Sequence, residues 1–217
     1  MQIFNRSSTT RTARSSAGTA PSIQFLLAHV VVGRRNGTGA VIAFTSANPG
    51  AGVSHVTRIL GAQLASQTCE PTAIVEAERL NRLQAHELIN LRAKCARTNI
   101  NHLWVLRKSV NGNGNGHQPS AETETYSTDG AGLDRVHALR ATFHHTLLDC
   151  PSINDSPAAL LIVPQVDGVV LVVEADRTRR DQILRARQTI EMSGGKLSAM
   201  VLNKRQHLVP EWLYRVL

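Results

Sequence analysis

Apolar residues along this chain fall into short unbroken runs separated by longer amphipathic stretches. Residues 40–45 (AVIAFT), 72–75, 102–106, 146–148, 168–173 (GVVLVV) and 197–202 each read as a strand that is apolar on both faces. Between them the spacing changes to that of a helix. Residues 53–67 carry Val56, Ile59, Leu60 and Leu64 on one face, residues 81–97 and 133–143 read as helical, and 177–192 is an amphipathic helix closed by Gly194–Gly195. Strands buried on both faces and alternating with helices predict a mostly parallel sheet covered on each side, a three-layer α/β domain.

The rest of the chain reads differently. Residues 1–21 are rich in Ser, Thr, Arg and Gly, and are expected to form a disordered basic arm ahead of a domain spanning 22–217. Residues 23–32 are apolar and expected to pack on that domain, and 33–39 (GRRNGTG) are a turn-rich connector. Residues 109–132 contain NGNGNG and no apolar run, so a flexible insertion is expected there.

Composition and charge narrow the function classes. A chain of 217 residues can bury a core without disulfide or metal staples. Its three cysteines have no CxxC spacing, which argues for reduced thiols rather than a zinc site. The longest apolar stretch, residues 158–173, is interrupted by Gln165 and Asp167, so no membrane span is expected. Of the net charge of +8, +6 comes from arginines that precede the first acidic residue, Glu70. A uniformly basic nucleic-acid surface would not be distributed in this way, and nucleic acid is not the expected partner.

Chemistry is expected at the ends of the strands. The turn after the first buried strand reads Ser46-Ala47-Asn48-Pro49-Gly50-Ala51-Gly52-Val53-Ser54-His55. Its glycines let successive amides face inward above a helix N-terminus, which makes either an anion nest or a tight turn that binds nothing. Glu76 and Glu78, two apart after the second strand, either bracket a magnesium ion or are surface acids. Asp149, closing the strand at 146–148, suits either water-mediated magnesium binding or a helix cap.

These segments occur in the order found in a known family. VIAFTSANPGAGVSHV resembles the strand and Walker A loop of the bacterial tyrosine kinases of capsule and exopolysaccharide type, within the partition- and septum-site class of P-loop ATPases. AIVEAER resembles their second acidic motif, and FHHTLLDCPS their Walker B strand. DSPAALLIVPQVDGVVLVVEADRTRRDQILRARQTIEMSGGKLSAMVLNKR resembles the remainder. The resemblance implies a P-loop NTPase fold binding ATP or ADP with magnesium. The cofactor would lie on Gly50, Ala51, Gly52, Val53, Ser54 and His55, the magnesium on Ser54 and Asp149, and Asn203 would meet the adenine. Asp149, Glu76 and Glu78 take the catalytic positions.

The departures weigh against activity. Val53 stands where the family has its phosphate-binding lysine, a charge-assisted contact worth roughly 1.5–3 kcal/mol, or about ten- to a hundredfold in affinity. Glu76 and Glu78 stand where the family has aspartates. The tyrosine cluster of the family's autokinases is absent, leaving only Tyr126 and Tyr214. Arg58, the nearest alternative cation, is expected to point along its helix away from the phosphates. The expectation is a degenerate, regulatory or scaffolding subunit of exopolysaccharide synthesis and export. It would be cytoplasmic, peripheral to the inner face of the membrane, self-associating and docked on a membrane chain-length regulator. The rivals are an active tyrosine kinase of the same pathway and a nonspecific DNA-associated ATPase-like protein.

Overall fold

A computed structural model describes residues 2–5, 39–106 and 131–204. Eight strands form one sheet: β1 (Gln2–Asn5), β2 (Ala40–Ser46), β3 (Thr72–Glu76), β4 (Cys95–Arg97), β5 (Leu103–Leu106), β6 (His145–Asp149), β7 (Gly168–Glu174) and β8 (Leu197–Asn203). Their spatial order is β1-β8-β7-β2-β6-β3-β5-β4. The six inner strands are parallel, and each edge is closed by a short antiparallel strand, β1 on β8 and β4 on β5.

Alternation along the central strands divides the core in two. Ile42, Phe44, Leu147, Val170 and Val172 face helix α1 (Val53–Thr68), which answers with Val56, Leu60 and Leu64. Val41, Ala43, Leu148, Val169 and Leu171 face the opposite way. There they meet α2 (Ala77–Arg82), α5 (Ala131–Thr142), α6 (Pro157–Ile162) and α7 (Arg180–Met192) through Leu80, Leu139, Ile162, Ala186 and Ile190. The three-layer α/β architecture expected from the apolar runs is the one found.

Three segments depart from the sequence reading. The helix expected over 81–97 is broken into α2, α3 (Ala85–Ile89) and α4 (Leu91–Lys94), and its last residues become β4. Leu83 and Gln84 are extended, the Leu83 carbonyl accepts Arg135 Nη2 at 3.1 Å, and Gln84 opens a capping box with Glu87. β4 lays Arg97 against the ring of Trp104 on β5, with Arg92 on the same ring at 4.7 Å. Inside the segment expected to be a disordered arm, Gln2–Asn5 forms an edge strand. The amphipathic helix expected over 177–192 starts at Arg180. The apolar segment 23–32 and nearly all of the insertion at 109–132 lie outside the described residues.

At the N-terminal end of the sheet, Arg140 ties three elements together. Its guanidinium pairs with Asp167 at 2.5 Å and donates to the carbonyls of Gly39 and Gln165 at 3.0 and 3.2 Å. Asp167 also accepts the Val41 amide at 2.8 Å. Both side chains are largely buried, which ranks the pair among the few ionic interactions here that solvent does not screen.

Candidate phosphate-binding loop

The strand-to-helix turn sits at the C-terminal end of the sheet between β2 and α1, stitched to the segment that follows β6. Ile153 N–H donates to the Ser46 carbonyl at 2.9 Å, and Thr45 Oγ1 donates to the Pro151 carbonyl at 2.6 Å. The Ala47 carbonyl accepts both Ser152 Oγ at 3.1 Å and Asn154 Nδ2 at 2.9 Å. Asn48 Nδ2 donates to Gln182 Oε1 on α7 at 2.9 Å, beside a cavity of about 560 Å³ that Arg185 and Asp155 also line.

Gly50 and Gly52 have φ of +82° and +90°, in the left-handed region that favours glycine. At Gly52 there is also no room: a Cβ would stand 2.4 Å from Asn203 Nδ2. Among the described residues, the first amide of α1 with a backbone acceptor is that of Val56, which donates to the Gly52 carbonyl. The amides of Ala51, Gly52, Val53, Ser54 and His55 therefore remain as donors above the start of a helix.

The other side of the loop is held by the end of β8. Asn203 Nδ2 donates to the Ala51 carbonyl at 2.9 Å, and Lys204 Nζ to the Gly50 carbonyl at 2.7 Å. Lys204 also pairs with Glu174 at 3.1 Å. Sequence reasoning singled out Asn203 but not Lys204, whose only signal was its place directly after Asn203 at the end of a strand.

Ser54 and Asp149, the expected magnesium pair, lie near each other, and the Ser54 hydroxyl favours the charged form of Asp149. Burial is the larger influence and pushes the Asp149 carboxyl above the ordinary carboxylate range. Glu76 and Glu78 push in the same direction, so both expected acids lie within electrostatic reach of Asp149. Glu76 is itself paired with Arg79 at 2.7 Å. Arg58, exposed on α1, acts on Asp149 with the opposite sign, favouring its charge.

Val53 is buried in the apolar cluster shared by α1 and the sheet. Cys150, next to Asp149, has its thiol pushed far up by burial and then by that carboxylate, so it is an inert core residue rather than a nucleophile.

No family model matches this chain. It is 33% identical over 69 residues to the tyrosine-protein kinase CpsD of Streptococcus agalactiae, a match covering 32% of this chain and 30% of that relative. The chain thus spans less than a third of the length of the curated relatives it matches. Its fold is similar to the kinase domain of the Escherichia coli tyrosine kinase ETK, with a TM-score of 0.66 and 13% identity over 91% of this chain and 86% of that one. It is also similar to the septum site-determining protein MinD of Pyrococcus horikoshii, solved with Mg-ADP, with a TM-score of 0.56 and 14% identity over 82% and 77% of the two chains.

Proposed function

We propose that this chain is a member of the bacterial tyrosine-kinase family of P-loop proteins and, within it, a regulatory or scaffolding subunit with little phosphoryl transfer of its own. It would serve polysaccharide synthesis and export, docked on a membrane chain-length regulator at the inner face of the membrane. The observation that carries this reading is Val53. At the loop position where a lysine would reach the outer phosphates, the side chain is apolar and buried against the sheet.

The remaining groups fit a nucleotide held weakly. The free loop amides and the N-terminus of α1 suit the phosphates. Ser54 and Asp149, close to each other, would hold a magnesium ion, which would offset phosphate charge. Asn203 adjoins the loop, where the base of a bound nucleotide would lie. MinD, of similar fold, is solved with Mg-ADP, which supports nucleotide as the ligand class.

Titration calorimetry with Mg-ATP tests the reading. Wild type should bind weakly, and Val53→Lys about ten- to a hundredfold more tightly. Micromolar binding by wild type, unimproved by the lysine and accompanied by tyrosine phosphorylation, would overturn it. The second reading is then an active kinase of the same pathway, favoured by the positive charge that Arg58 brings to bear on Asp149.

A further inference from the structure

The loop's peptide groups are bonded on one side only. The Gly50 carbonyl shares a peptide plane with the Ala51 amide, and the Ala51 carbonyl shares the next with the Gly52 amide. In a trans peptide the two groups point in opposite directions, and the described chain has no cis bond. Lys204 Nζ occupies the first carbonyl and Asn203 Nδ2 the second. Among the described residues neither the Ala51 nor the Gly52 amide donates a hydrogen bond. Both therefore point away from β8, toward the side where an anion would sit.

A donor on a carbonyl oxygen draws electron density through the amide and makes the N–H at its other end a stronger donor. A cation does this more strongly than a neutral amide. Lys204 can reach Gly50 because residue 204 turns left-handed, at φ +57°, as the chain leaves β8, and because Glu174 at the end of β7 holds the same ammonium. The contact is specific to this loop: both glycines bend its carbonyls toward β8, and at Gly52 a side chain would collide with Asn203.

We propose that Lys204 is a positioning residue that primes the loop for phosphate from behind, polarising the Ala51 amide and adding positive potential where Val53 adds none. This inference rests on the reading that the loop takes a nucleotide. It predicts that the loop's affinity for polyphosphate depends on a cation that touches no phosphate. Because the Lys204 side chain is 47% exposed, solvent screens part of its field, and an effect of about tenfold is expected rather than the hundredfold of a direct contact.

The test uses the full chain in the Val53→Lys background, where binding is strong enough to measure. Mg-ATP, tripolyphosphate and adenosine are titrated against that variant and against the same variant carrying Lys204→Met or Lys204→Arg. Thermal unfolding confirms that each is folded. Lys204→Met should weaken ATP and tripolyphosphate about tenfold and leave adenosine unchanged, and Lys204→Arg should restore most of the loss. Equal affinities with and without the Lys204 ammonium would overturn this inference and leave the nucleotide site standing. So would a loss that arginine does not rescue or that adenosine shares. If the Val53→Lys chain binds neither ATP nor tripolyphosphate, the nucleotide reading fails, and this inference fails with it.

Discussion

Glu76 and Asp149 are direct register partners across the parallel pair β3–β6, so two carboxylates leave the sheet side by side at its C-terminal end. A third acid, Glu78, follows in the first turn of α2. With Ser54 and Arg58 of α1 acting on the same group, the strand ends assemble an acidic rim around one partly buried carboxyl. That arrangement suits a hydrated cation and strains the protein when none is bound.

The strain has a predictable pH dependence. A carboxyl whose pKa is raised in the folded state binds its proton more tightly there than in the unfolded chain, so its ionisation destabilises the fold. The cost of Asp149 is absent below its ordinary value of 3.8, grows as pH rises from there, and is complete once pH passes the raised value. Asp149→Asn should therefore raise the unfolding temperature at pH 7 while lowering magnesium-dependent ATP binding. The thermal gain should vanish in acid, as circular dichroism melts across pH 3.5–7 would record.

The opposite behaviour is expected at Arg140. Removing it leaves the Asp167 carboxylate buried without its counter-charge and frees the Gly39 and Gln165 carbonyls. Arg140→Ala should cost about 3 kcal/mol. At this chain length that is roughly 6–12 °C in the unfolding midpoint. Asp167→Asn should cost less, because its side-chain oxygen can still accept the Val41 amide.

The two loop glycines should separate under substitution. A Cβ on Gly50 meets nothing within 4 Å, so Gly50→Ala carries only the left-handed backbone penalty, about 1–2 kcal/mol. A Cβ on Gly52 also displaces Asn203 from the Ala51 carbonyl, which should add about 1 kcal/mol. Urea unfolding of the two variants would rank them. Equal losses would mean that the contact with Asn203 contributes nothing.

The cysteines give a direct check of packing. Cys69 is exposed at the end of α1, whereas Cys95 and Cys150 are buried. Ellman's reagent should find one fast thiol in the native protein and three after unfolding, with Cys150 further protected by its raised pKa. Three fast thiols in the native state would contradict the core described here.

Legibility followed the range of the interactions. The inner strands and α1 could be read because unbroken apolar runs and a 3–4 spacing are properties of the local sequence. Ser54 and Asp149 could be paired because the family resemblance implied it, Ser54 opening the helix after β2 and Asp149 ending β6. The break at Leu83–Gln84 could not be read, because part of what holds it is Arg135, far away in the chain. Nor could β4, three residues that form a strand only because β5 offers a free edge. Lys204 was missed for the same reason: its partners lie on the loop after β2 and at the end of β7.

The edge strand β1 sets an order of assembly. Gln2 pairs with Leu202, so almost the entire chain separates the two halves of this ladder. At ribosomal rates of 5–20 residues per second, the first strand emerges about 10–40 s before its partner exists. The inner strands can pair as they appear, but β8 is secured on both sides only after synthesis has passed it. The two residues that brace the loop, Asn203 and Lys204, therefore arrive after every other strand. A nascent chain stalled before them would hold a nearly complete sheet around an unbraced loop, so competence to bind a ligand would come with the end of β8 rather than with the emergence of the loop itself.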